Sequence, residues 1–173
     1  VRKLGSLSAW VATNVDEAGD ATAGGNGTAR TDGTARSFTE TQLKAAILSA
    51  YDEGANIKYL MMSPAKKQTF SSFVGVGASG GASNRIDAAD QRIIGGMDVY
   101  VSDFGEMAVV PNRFQRASDV WLLDPEYYGV AYLRPFFQKE VASTSDGEQR
   151  AIIAEYTLVV KNEKALGAVY DLS

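Results

Sequence analysis

The sequence predicts an α+β fold, and three observations predict it. Helical periodicity is confined to residues 39–75. Apolar alternation dominates from Ile93 onward. The two patterns follow one another instead of alternating, as they would in an α/β protein. With 173 residues, 45% of them hydrophobic, the chain is long enough to bury a core.

The first residues, KLGSLSAWVATNV, have modest apolar character around Leu7, Trp10 and Val11. Asp16–Ser37 is almost entirely small and polar, and contains the echo Gly27-Thr28-Ala29-Arg30, Gly33-Thr34-Ala35-Arg36. So little apolar surface cannot offset the entropy of ordering the chain, which predicts a long surface loop. Two echoes are too few for a solenoid. Asn26-Gly27-Thr28 has glycosylation spacing, but no secretion signal is visible and the match is read as chance.

The clearest helix is Glu40–Glu53. Thr39 and Gln42 have the spacing of a capping box, and Phe38 and Leu43 that of a hydrophobic staple. Leu43, Ile47 and Tyr51 recur at i, i+4 and i+8, Ala46 and Ala50 fill the stripe, and Gly54 supplies the stop. IKYLMM reads as a buried strand. A second helix follows in SPAKKQTFSSFVG, with Ser63 as cap, Pro64 at the first position, Gly75 as stop, and Phe70, Phe73 and Val74 on one face. The glycine-rich stretch after it reads as a flexible loop.

Beyond Ile93 the chain reads as antiparallel strands. Met97, Val99 and Val101 alternate, SDFGE turns, and MAVVP returns. DVWLLD and YGVAYL are two short strands. FFQKEV leads through the polar turn ASTSDGEQ to AIIAEYTLVV, where Ile152, Ala154, Tyr156, Leu158 and Val160 share one face. Ile153, Glu155, Thr157 and Val159 form the other, more polar face, and ALGAVYDL closes the chain as a strand.

Composition excludes several chemistries. There is no Cys and no His, so thiol nucleophiles, disulfides, Ser-His-Asp catalysis and Cys or His metal sites are ruled out. A net charge of −4 argues against a general nucleic-acid binder. No apolar run approaches the ~20 residues that cross a bilayer. Gly75–Gly80, GVGASG, matches the G-x-G-x-x-G pattern, but a helix precedes it and no helical period follows, so it lacks the dinucleotide-binding context. Asp103-Phe104-Gly105 matches the magnesium-holding tripeptide of kinases, but no Lys lies between Gly81 and Asp103, and no H-R-D loop is possible. The carboxylate pairs Asp87/Asp90, Asp103/Glu106 and Asp124/Glu126 sit in turn contexts, where Asp bonds locally to backbone. No catalytic residue, cofactor site or metal site is assigned. Lys66 and Lys67 read as a solvated face or as subunit salt bridges. Most aromatic residues read as core, while the density of PEYYGVAYLRPFF marks Tyr127 and Tyr128 as a candidate protein–protein contact.

The ordered segments SAWVATNVD, FTETQLKAAILSAYDEGA, LMMSPAKKQTFSSF, DVYVSDFGEMAVVPNRF and YLRPFFQKEVASTSDGEQRAIIAEYTLVVKNEKALG add a resemblance. Together they resemble the major head proteins of tailed bacteriophages, in particular the group related to coliphage SU-ten. The most specific parts are VYVSDFG…VVPNRF and EYTLVVKNEKA. The resemblance implies a Hong Kong 97-type capsid fold. Residues 1–55 would be a peripheral-domain segment with a flexible loop and the spine helix, 56–133 the axial domain, and 134–173 the peripheral domain's long strands. It implies a structural, non-enzymatic protein that self-assembles as pentamers and hexamers into a virion head in the bacterial host cytoplasm. The head encloses DNA without sequence-specific binding and has no membrane. Scaffolding and decoration proteins are further partners the resemblance admits. The loop near the symmetry axis would be Gly75–Arg92, with Gly75, Gly77, Gly80, Arg85, Asp90 and Arg92 as candidate subunit contacts. Family members are longer at the N-terminus, so a chain starting at Val1 reads as the C-terminal half, a fragment or a processed form. A cellular nanocompartment shell, and a nucleotide-binding enzyme using the Gly-rich loop, stand as alternatives.

Overall fold

The computed structural model describes residues 5–73, 86–87, 92–93, 98–142 and 146–173. After a 3-10 turn at Leu7–Ala9 come β1 (Val15–Asp16), α1 (Glu40–Asp52), β2 (Tyr59–Met62), α2 (Pro64–Phe70), β3 (Ile86–Asp87) and β4 (Arg92–Ile93). They are followed by β5 (Val99–Ser102), β6 (Gly105–Pro111), β7 (Val120–Leu123), β8 (Tyr128–Val141) and β9 (Gln149–Val160). A second 3-10 turn at Glu163–Ala165 leads into β10 (Gly167–Val169).

Among the described residues, six strands form one sheet in the order β1-β10-β7-β2-β6-β5, while β3–β4 and β8–β9 are separate two-stranded ribbons. The α+β reading holds, but the sheet is mixed: β1 runs parallel to β10, and β2 parallel to β6. Strands from all three segments expected from the family resemblance share this one sheet.

The expected helices form for the expected reasons. Thr39 and Gln42 close the capping box, with the Thr39 N–H donating to Gln42 Oε1 at 2.9 Å. Gly54 stops α1 at a φ of +86°, a conformation that favours glycine. Leu43, Ala46, Ile47 and Ala50 are buried, but Tyr51 is not: it is 51% exposed and stacks on Phe104, outside the core. Ser63 caps α2, its side chain accepting from the Lys66 N–H, and Pro64 opens it, but the helix ends at Phe70. Val74 and Gly75, expected at its end, lie outside the described residues. Lys66 is buried, its ammonium bonding the Ser173 carbonyl, and Lys67 pairs with Asp98 at 3.0 Å.

The sheet divides the core in two. On β7, every residue is buried. Val120 and Leu122 point into a cluster with Leu43, Ile47, Leu60, Met62 and Phe70 from the helices and β2. Trp121 and Leu123 point the other way, into a cluster with Val11, Leu166 and Tyr170. On β5 the expected alternation is present with its apolar side outward: Tyr100 packs against the core, while Val99 and Val101 are exposed. Met97 lies outside the described residues.

The segment read as a long surface loop is instead held down. Arg30 is buried and donates from Nη2 to both carboxylate oxygens of Asp171, at 2.9 and 2.8 Å. Its guanidinium also lies over the Tyr170 ring, 4.1 Å from the centroid. The same carboxylate accepts from the N–H groups of Ala18 and Gly33, at 3.1 and 3.0 Å. Arg36, from the second GTAR echo, pairs with Asp16 on β1. Polar groups, not apolar burial, order this chain. Gly33 is required, because a Cβ there would sit 2.5 Å from Asp20 Oδ1 and 2.8 Å from Ala18 Cβ.

Breaking a buried ion pair from one side leaves a desolvated charge, so Arg30→Ala should destabilise the protein by about 3–5 kcal/mol in urea unfolding. Burial pushes the Asp171 carboxyl up, but Arg30 and the two N–H groups outweigh it and hold the carboxyl below its ordinary value. A folded value below the unfolded one means the stabilisation is full above about pH 3.9 and is lost as pH falls through the depressed value. Asp171→Asn should therefore flatten the acid limb of a melting-temperature profile relative to the parent chain.

Candidate assembly interface

The β8–β9 ribbon is the largest feature that the chain's own packing leaves unused. β8 is a single strand of 14 residues: the short strand expected at YGVAYL continues through Pro135 and FFQKEV. Register shifts between Tyr132 and Arg134, and between Arg134 and Phe137, let it pass. Proline has no N–H to give a ladder, and a bulge on a two-stranded ribbon asks for none.

Cross-strand register assigns the faces. Tyr128 opposes Val160, Val130 opposes Leu158 and Tyr132 opposes Tyr156, so these pairs share a side. Phe136 joins them, 6.3 Å from the Tyr132 ring and 6.4 Å from Tyr156. Further along, Ile152 is 76% exposed. The opposite face carries Arg134, which forms two parallel bonds to Glu155, one of them Nε to Oε2 at 3.0 Å. That pairing raises the Arg134 pKa. The division of β9 into an apolar and a more polar face therefore stands, but neither face is buried.

At its base the apolar face is not free. Tyr128 and Val160 pack against the cluster around Trp121 and Leu123. Burial pushes the Tyr128 hydroxyl pKa up. Tyr127 packs against the other cluster and is likewise half-buried. The structure thus places the two tyrosines singled out from sequence at the root of the ribbon. The exposed aromatic residues are Tyr132, Phe136, Phe137 and Tyr156, farther out. Their signal was the aromatic density of the segment; what the pattern could not show is that no second layer covers it among the described residues.

A second unfilled feature lies between α1 and the β5–β6 turn, a surface pocket of about 280 Å³ walled by Ile47, Leu48, Tyr100 and Phe104. Phe104 does not pack along its own hairpin; its ring stacks on Tyr51 with centroids 4.5 Å apart. Glu40 and Asp103 stand at the rim, and Lys44 pairs with Glu40 at 2.9 Å, which raises the lysine pKa. Burial first, then the Glu40 charge, pushes the Tyr100 hydroxyl up. Asp103 and Glu106 face solvent. Among the described residues no group of three acidic side chains is placed to hold a metal ion, and no helix is long and apolar enough to cross a membrane. Of the loop candidates, Gly75, Gly77, Gly80, Arg85 and Asp90 lie outside the described residues. For Arg92 only the backbone is described, paired with Asp87 in the β3–β4 ribbon.

The family model described as SU10 major capsid protein matches residues 1–173. No curated protein matches the chain. A solved structure described as a virus-like particle from Pyrococcus furiosus aligns with a TM-score of 0.43 and 11% identity, over 79% of this chain and 54% of that one. This chain therefore spans about half the length of that structure's chain.

Side chains that contact little of their own chain contribute little to its stability. Replacing Phe136 and Tyr156 together by Ser should leave unfolding free energy within about 0.5 kcal/mol per site of the parent. It should lower the binding of a hydrophobic dye by isolated subunits.

Proposed function

The chain belongs to the SU10 major capsid protein family, and from that premise we propose that its work is structural. Many copies self-assemble, as pentamers and hexamers, into the icosahedral virion head that encloses phage DNA. The mechanism is association between subunits, and no catalytic step is assigned to any residue.

One observation carries the reading: the ribbon presents a run of exposed apolar and aromatic side chains that no core cluster among the described residues covers. A two-stranded hairpin is marginal in water on its own, and a contiguous exposed apolar face marks an interaction surface. A neighbouring subunit supplies the missing layer. The fold is of Hong Kong 97 type, with the six-stranded sheet as the axial domain and the ribbon as the long strands of the peripheral domain. Because α1 packs on β1 and β10, the boundary is better drawn at the root of the ribbon, near residues 127 and 161, than at 55/56 and 133/134. The glycine-rich loop Gly75–Arg92 keeps its assignment to the symmetry axis on composition. A net charge of −4 suits a container that must not grip its DNA. Assembly takes place in the host cytoplasm, with scaffolding and decoration proteins as accessory partners.

Electron microscopy and sedimentation velocity of the full-length protein test this. Particles or rings are expected, and Phe136→Glu combined with Ile152→Glu should leave subunits folded but unassembled. A full-length protein that stays monomeric at all concentrations, with or without a scaffolding partner, would sink the proposal.

A further inference from the structure

After β6 the chain turns sharply through Asn112–Arg116, and the turn is built with care. The Asn112 side-chain oxygen accepts from the Phe114 N–H at 3.0 Å, and the Asn112 N–H donates to the Met62 carbonyl at 2.8 Å. Gln115 Nε2 donates to the carbonyls of Met61 and Asp119, at 3.1 and 2.7 Å. Two of these bonds tie the turn to β2, one closes it internally and one ties it to Asp119 ahead of β7. The residue on its crest, Phe114, is 91% exposed. A phenyl ring left in water does nothing for the chain's own packing, and burying it against another surface is favourable. Beside it Arg113 is exposed and has no ion-pair partner among the described residues, whereas Arg116 is committed to Asp32 at 2.7 Å.

The pocket between α1 and the β5–β6 turn lies at the other end of the same strand. Its volume of about 280 Å³ is ample for a phenyl group, since an apolar cavity of about 150 Å³ accepts benzene. Its Phe104 wall is braced by the Tyr51 ring. Of its charged rim, Glu40 is engaged by Lys44, while Asp103 is exposed with no ion pair among the described residues.

We propose that Phe114 of one copy seats in this pocket of a second copy, with Arg113 against Asp103. The inference rests on the self-assembly reading and names a contact within it. The fit is in shape, in polarity and in charge: an aromatic knob flanked by a free cation meets an apolar hole flanked by a free carboxylate. The contact cannot form within one chain. The seven residues of β6 separate knob from pocket by about 23 Å at ~3.3 Å per residue. Paired head to tail, rather than reciprocally between two copies, the contact is heterologous and closes a ring when the rotation permits.

The chain has no cysteine, which makes the test direct. The full-length protein carrying both Leu48→Cys and Phe114→Cys is concentrated above its own raised assembly threshold, oxidised once particles or rings are seen, and run on a non-reducing gel. A reductant-sensitive ladder of covalent oligomers is expected, with neither single variant forming one. Cross-linking by Phe114→Cys alone overturns the heterologous pairing, and a covalent product that stops at the dimer overturns the head-to-tail pairing. Particles or rings that form without a ladder overturn the knob-and-pocket contact and leave the shell reading standing; failure of the parent protein to self-associate overturns both. Phe114→Ala should raise the concentration needed for assembly about ten-fold or more with an unchanged melting temperature. Arg113→Asp and Asp103→Arg should each weaken assembly, and the two together should restore it.

Discussion

The fold depends on how residues 165–172, the last strand and its flanks, are received by chain more than a hundred residues earlier. All eight are buried. β10 sits between β1 and β7, so it is the strand through which the first segment joins the sheet. Asn14, fully buried, binds the join from one side: its Nδ2 donates to the Lys164 and Leu166 carbonyls at 2.6 and 3.2 Å, and its Oδ1 accepts from the Ser49 hydroxyl of α1 at 2.9 Å. Arg30 and Asp171 bind it from the other. A buried amide and a buried ion pair stabilise only when all their partners are present, so these groups specify one arrangement of three distant segments.

Local rules were legible wherever neighbours in sequence are neighbours in space. The capping box of α1, the Ser63-Pro64 start of α2, the turn at Ser102–Gly105 and the two faces of β9 follow from spacing alone. What was not legible depended on distant partners. The GTAR echo looked like low-complexity filler because its meaning lies in Asp171 and Asp16, which no local pattern connects to it. Tyr51 matched the helical stripe by period, but the stripe is satisfied by Ala46 and Ala50, and the tyrosine turns to Phe104. The short strand read at YGVAYL runs on through Pro135, because a free-standing ribbon does not need every N–H of a ladder.

Exposure on the ribbon inverts the usual inference from periodicity. Alternation predicts that one face of a strand is buried, and in β8 and β9 the prediction holds for the side-chain pattern while no further strand pairs with the ribbon among the described residues. The hydrophobic free energy is thus divided between two events. The sheet, the helices and the residues around β10 hold the subunit together, and on the proposed reading the ribbon's apolar face is kept for association. Only the root of that face, at Tyr128 and Val160, belongs to both, which ties the ribbon's attachment to the subunit core.

The proposed shell of pentamers and hexamers would ask its contacts to work at more than one angle. Closing a ring of five instead of six changes the turn between neighbours by about 12°. A contact made of directional hydrogen bonds loses geometry under such a rotation, because their strength falls as they misalign. A phenyl ring in an apolar pocket keeps most of its burial, because the hydrophobic contribution follows area and not direction. A pair of long or exposed side chains such as Arg113 and Asp103, in the turns at the two ends of β6, follows the ring by changing rotamer. On this argument the two short motifs at the ends of β6, D-F-G and N-R-F, belong together: the strand sets their separation, and the contact between copies supplies the freedom the shell requires.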